Sequence, residues 1–193
     1  MFILASQSPR RRELLSMLGL EFEIITADID ETMDQNLSVG EAVAEISKKK
    51  ALAVWKDNPG RLIVSADTIV TVDEKILGKP HSEEEARQML QSLSGRSHSV
   101  MTAFCLCDGN GVTETHVEKT DVVFKPLSLE EIDAYIATGS PMDKAGAYGI
   151  QDGAAVFVEA LRGDYYNVMG LPVCSLVKRL RAKGISVLGT VIP

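Results

Sequence analysis

The chain has 193 residues, enough for one large domain or for two small lobes sharing a core. Hydrophobic residues make up 45% and charged residues 24%, as in an ordinary globular protein, and no apolar run approaches the roughly 20 residues that span a bilayer. The formal net charge of -7 argues against general nucleic-acid binding, which neutralises phosphates with Lys and Arg, but positive charges gathered in one cleft can still hold a small polyanion.

The opening stretch MFILASQSPRRR places its charge after its few apolar residues, the reverse of a secretory signal, so a cytoplasmic location is expected. Phe2–Ala5 reads as a short buried strand. Ser6-Gln7-Ser8-Pro9 is a turn whose proline suits the first position of a helix, and apolar residues at Leu14, Leu15 and Leu18 continue that helix until Gly19 stops it. Phe22 to Thr26 is a second strand, followed by an acidic loop with Asp28, Asp30, Glu31 and Asp34. Ser38 with Glu41 forms a capping box opening a helix to about Trp55, with Lys48-Lys49-Lys50 inside it. Leu62 to Ala66 reads as an apolar strand that ends at Asp67-Thr68. A hairpin over Ile69–Val72 and Lys75–Leu77 follows, and Gly78-Lys79-Pro80 breaks it.

Ser82 with Glu85 predicts a helix to about Leu93. Ser99–Cys107 and Val112–Phe124 predict two long strands joined at Asp108-Gly109-Asn110-Gly111. Ser128 with Glu131 predicts another helix, ending near Gly139. A glycine-rich loop, a strand near Ala155–Val158 and a last helix from about Pro172 to Ala182 complete the chain. Interleaved strands and helices with an antiparallel hairpin predict an α/β fold with a mixed sheet packed by helices, and no linker divides it. Three cysteines cannot all pair, which favours a reducing compartment. Cys105 and Cys107 share one strand face and read as buried apolar residues, since no second Cys pair or suitably spaced His supports zinc.

Four segments hold polar residues that folding alone does not explain. Ser6 to Arg12 lies between a strand and a helix N-terminus, where free backbone N–H groups and a positive dipole end suit phosphate. Three arginines there oppose the helix dipole, so a plain capped helix is the poorer reading. In Ser65-Ala66-Asp67-Thr68 the carboxylate serves as a turn residue, a metal ligand or a general base on water. Lys79, between Gly and Pro, is a solvated loop lysine or a phosphate contact. In Asp143 to Gln151, small residues permit close approach of a ligand, and Tyr148 and Gln151 carry groups able to stack on or bond a base. His81, His98 and His116 lie outside all four segments, which leaves a His-based nucleophilic mechanism little support.

Together these segments resemble the Maf family of nucleotide pyrophosphatases. The matching stretches are Leu4 to Arg11, Ser65 to Val70, Gly78-Lys79-Pro80, Asp143 to Gln151 and Asn167 to Pro172, in family order and across nearly the whole chain. The resemblance implies a twisted mixed sheet with two lobes and a central cleft, forming a single Maf-like domain over residues 1–193. It implies hydrolysis of nucleoside triphosphates to the monophosphate and pyrophosphate with a divalent metal, Mg2+ or Mn2+, and a homodimer. Asp67 becomes the proposed base. Arg10, Thr68 and Gln151 match the specificity residues of the branch acting on dTTP and UTP, whereas the branch acting on 7-methyl-GTP has another residue, often Trp, where Arg10 stands. Gln7 departs from the smaller residue common there. For phosphate the candidates are Ser8, Arg11, Lys50, Lys79 and Lys144; for metal, Asp67 and Glu31. The family's link to septum formation leaves a nucleotide-binding regulator without turnover as the rival reading.

Overall fold

The computed structural model describes residues 1–189. Strands β1 (Phe2–Ala5), β2 (Phe22–Ile24), β3 (Ile63–Val72), β4 (Lys75–Leu77), β5 (Ser97–Cys107), β6 (Thr113–Phe124) and β7 (Val158–Arg162) alternate with helices α1 (Pro9–Met17), α2 (Val39–Asp57), α3 (Glu83–Leu93), α4 (Leu129–Ile136), α5 (Tyr165–Met169) and α6 (Val173–Ala182). The strands form a seven-stranded sheet in the order β2-β1-β3-β5-β6-β7, with β4 paired to β3 off that path. It is mixed: β1 pairs parallel with β2 and β3, while β3/β4 and β6/β7 are antiparallel.

The chain divides into two compact units. The first comprises residues 1–67, 102–118 and 170 onward; the second comprises 68–101 and 119–169. In the first unit Ile3, Ala5, Ile63, Cys105 and Cys107 project from strands onto Ala51 and Val54 of α2, so both cysteines are buried core residues. In the second unit Phe124, Phe157, Tyr135, Tyr148 and His98 form a chain of edge-to-face ring contacts.

Local chemistry accounts for most boundaries. Ser38 and Ser128 make reciprocal capping boxes with Glu41 and Glu131. Ser82 accepts from the Glu85 amide, but the Glu85 carboxylate turns to the His81 amide at 2.7 Å, so that box is only half formed. Three expectations are corrected. The strand expected to stop at Asp67-Thr68 runs on as β3, because neither Asp nor Thr removes a ladder donor as Pro does. The strand expected at Ala155–Val158 begins at Val158, after a 3-10 segment over Gly153–Phe157 whose first turn is capped by the Asp152 side chain. The stretch between that strand and the last helix, for which the sequence suggested no regular element, holds the short helix α5, where the Asp164 carboxylate accepts from the Tyr166 amide at 2.8 Å.

Candidate active site

In the first unit, α2 and β3 meet along two polar rungs. Ser65 and Asp67 are two apart on a strand and share a face; Ser47 and Lys50 are three apart on a helix and share a face. The lower rung is fully buried: Ser65 Oγ donates to the Ser47 carbonyl at 2.6 Å and lies 3.2 Å from Ser47 Oγ. The upper rung is ionic. Lys50 Nζ donates to Asp67 Oδ1 at 2.7 Å and lies 3.0 Å from Glu31 Oε1 of the acidic loop. The Lys50 and Asp67 side chains are 17% and 15% exposed and Glu31 is 59% exposed, so the pair faces a partly sheltered environment with one carboxylate reaching it from outside.

Pro9 at the first helical position places Arg11 within the first turn of α1. Arg11 is buried. Its Nε donates to the Gly170 carbonyl at 2.8 Å, and one terminal nitrogen donates to Ser6 Oγ at 2.9 Å and to the Ala66 carbonyl at 2.8 Å. Burial pulls this guanidinium down to about 10 against the opposing charge of Asp67, so it stays protonated at neutral pH. Arg11, expected to meet phosphate, thus commits these donors to two carbonyls and a serine hydroxyl and ties three matching stretches of the sequence together beside Asp67. Ser8 occupies the N-cap position of α1 but makes no side-chain cap, and no acidic residue lies in the first turn. Its amide instead donates to Ser6 Oγ at 3.3 Å. Arg10 is half-buried.

In the second unit Thr68, half-buried, follows Asp67 directly along β3, and Lys79 is exposed without hydrogen bond or ion pair among the described residues. The Gly78 carbonyl accepts from the Gly146 amide at 3.0 Å, which joins the Gly-Lys-Pro stretch to the glycine-rich loop. Gly146 has φ +69°, and a side chain there would lie 2.9 Å from Val70, so both conformation and space require glycine. Ala147 follows with φ +60°, a buried left-handed alanine costing about 1 kcal/mol or more.

Lys144 was also expected to meet phosphate. It is buried, and its ammonium donates to Asp143 Oδ1 at 2.7 Å and to the Ser140 carbonyl at 2.6 Å, with Asp152 Oδ2 3.4 Å away. It therefore holds the loop that carries Gln151, whose own side chain is exposed. Ser47, Ser65 (named only as part of the Asp67 motif), Tyr135 and Asp152 were given no role from sequence. The spacing of Ser47 to Lys50 and of Ser65 to Asp67 is the signal that identifies the first pair. Asp152 before Gly153-Ala154 reads as a cap, and nothing in the sequence marks Tyr135.

Among the described residues no group of three or more His, Cys, Asp or Glu side chains forms a metal cluster. Two carboxylates, those of Asp67 and Glu31, converge on Lys50 in the first unit's site.

A family profile described as Maf-like protein matches residues 1–183. A dTTP/UTP pyrophosphatase of Bacillus cereus is 47% identical over 185 residues, covering 96% of both chains. One of Desulforamulus reducens is 45% identical over 186 residues, covering 96% of this chain and 97% of its own. Among solved structures, a HAM1 protein from Coxiella burnetii superposes with a TM-score of 0.52 at 19% identity, covering 93% of this chain and 99% of its own; this supports the fold alone.

Proposed function

The chain belongs to the Maf-like protein family, and from that membership we propose that it is a nucleotide diphosphatase hydrolysing dTTP and UTP to the monophosphate and pyrophosphate. The observation that carries the chemistry is the Asp67 carboxylate held by Lys50 at 2.7 Å, with Glu31 on the same ammonium. Asp67 takes a proton from the water that attacks the α phosphorus, and pyrophosphate leaves. Charge builds on phosphate oxygens in such a reaction, so positioning and electrostatics supply most of the rate.

In this reading Ser8, Lys79 and the remaining N–H of Lys50 contact phosphate oxygens. Arg11 and Lys144 contribute positive charge and hold the segments around them. Asp67 and Glu31 fit a hard divalent cation, Mg2+ or Mn2+. Such an ion takes one or two carboxylates from protein when phosphate and water oxygens complete its shell. When bound, the metal offsets phosphate charge.

Arg10, Thr68 and Gln151 set the choice of base. Thymine and uracil present two carbonyls flanking one ring N–H, which a guanidinium and a carboxamide match. Cytosine lacks that N–H and leaves polar groups unpaired. The reading also includes a homodimer acting in the cytoplasm on a free nucleotide. The net charge of -7 supports a substrate other than nucleic acid. Among the described residues no helix is long and apolar enough to cross a membrane.

The test is kcat/KM for dTTP, UTP, CTP and GTP with Mg2+, in the wild type and in Arg10→Ala and Gln151→Ala. The wild type should favour dTTP and UTP, and each variant should lose about 10- to 100-fold of that preference. Equal loss on all four substrates removes the base-reading role, and a wild type that releases no pyrophosphate from any of them removes the enzyme.

A further inference from the structure

Gln151 occupies the third position of a turn closed by the Asp152 amide donating to the Gly149 carbonyl at 3.2 Å. A hydroxyl from another element staples that turn from both sides. Tyr135 Oη, on α4, accepts from the Gly149 amide at 3.1 Å and donates to Asp152 Oδ1 at 3.0 Å. The other Asp152 oxygen accepts from Ser140 Oγ at 2.5 Å and lies 3.4 Å from Lys144 Nζ. Gly149 is what lets these groups converge, since a side chain there would lie 2.6 Å from Asp152 Oδ2 and 2.7 Å from Lys144 Cε. Ile150, in the same turn, is buried. Gly149 and Asp152, the two ends of the turn, are thus joined through one phenol, while Gln151 itself remains exposed.

We propose that Tyr135 and Asp152 are positioning residues for base selection, a clamp that fixes the Gln151 carboxamide in the orientation that distinguishes thymine and uracil from cytosine. This rests on the reading of Gln151 as a base-contacting residue. A precise hydrogen-bonding site loses discrimination when its supporting contacts loosen, even if the contacting group is unchanged. Tyr135→Phe is the sharpest probe. It removes the hydroxyl and keeps the ring, which packs edge-to-face on Phe157 at 5.3 Å.

The expected result is a fall of about tenfold in the dTTP-to-CTP ratio of kcat/KM, carried by KM for dTTP, with kcat changed by less than about threefold. Asp152→Asn, which keeps the Oδ1 acceptor for Tyr135 and the Ala154 amide but turns a donor toward Ser140 and Lys144, loosens the other side of the clamp and should shift the ratio the same way. Gln151→Ala is measured alongside, alone and combined with Tyr135→Phe. If the clamp acts through Gln151, Tyr135→Phe adds nothing to the ratio in the Gln151→Ala background; a merely structural effect adds in full. Loss of the ratio in Gln151→Ala but not in Tyr135→Phe or Asp152→Asn overturns the clamp alone. An unchanged ratio in Gln151→Ala overturns the base-reading role beneath it, and the clamp with it.

Discussion

At the residue scale, Asp67 is the position on which the proposed chemistry turns. Its carboxylate is 15% exposed and held by an ammonium at 2.7 Å, so its direction is fixed before substrate arrives. Asp67→Asn preserves the shape, removes the proton acceptor and leaves Lys50 with Glu31 as its remaining carboxylate. A positioned general base is worth about 10²–10⁴-fold in rate, so kcat for dTTP should fall by that factor in a variant of unchanged fold. Near-normal turnover by a folded Asn variant removes Asp67 from that role. Asp67, Lys50 and Glu31 were each legible in the sequence as residue types suited to the chemistry. Their convergence was not, because it depends on the strand period bringing Ser65 and Asp67 onto the face that meets Ser47 and Lys50. Arg11 and Lys144 show the reverse limit. Their charge suggested phosphate, and only the fold reveals the carbonyls and carboxylates that take up their donors.

At the element scale, the helices were the most legible part, since three serines with a glutamate three residues on marked starts that the structure places within a residue. Strand ends were harder. Asp67-Thr68 looks like punctuation but lies inside β3, and β7 is a half-exposed edge strand without clear alternation. His98, which no motif singled out, links β5 to the glycine-rich loop. Its Nε2 is 2.7 Å from Tyr148 Oη, and its ring packs against Phe124 at 4.8 Å. Burial pushes the imidazole down from 6.5 to about 4, with Asp121 opposing, so the native protein keeps it neutral where the unfolded chain takes up a proton. Stability contributed by the neutral ring is complete above about pH 6.5 and falls as pH drops toward 4, by about 3 kcal/mol across that window. His98→Phe should therefore lose less stability than the wild type between pH 7 and pH 4.5, read from urea midpoints at the two pH values. Parallel declines would show that other groups set the acid sensitivity.

At the scale of the whole molecule, the mixed α/β sheet followed from interleaved element types, and the family from five stretches spread along the chain. The division into two compact units was less legible, because no Pro/Gly-rich or charged linker marks it. Its boundaries at 67/68, 101/102, 118/119 and 169/170 fall within or beside regular elements. Motif residues are consequently shared out, with Ser8, Arg10, Arg11, Glu31, Lys50 and Asp67 in the first unit and Thr68, Lys79, Lys144 and Gln151 in the second. If water attacks the α phosphorus of dTTP, the incoming oxygen stays with the monophosphate. Turnover in water enriched in oxygen-18, followed by mass spectrometry of both products, tests it directly. One heavy oxygen is expected in the nucleoside monophosphate and none in pyrophosphate; heavy oxygen in pyrophosphate, or release of single phosphates in its place, would exclude attack at the α phosphorus.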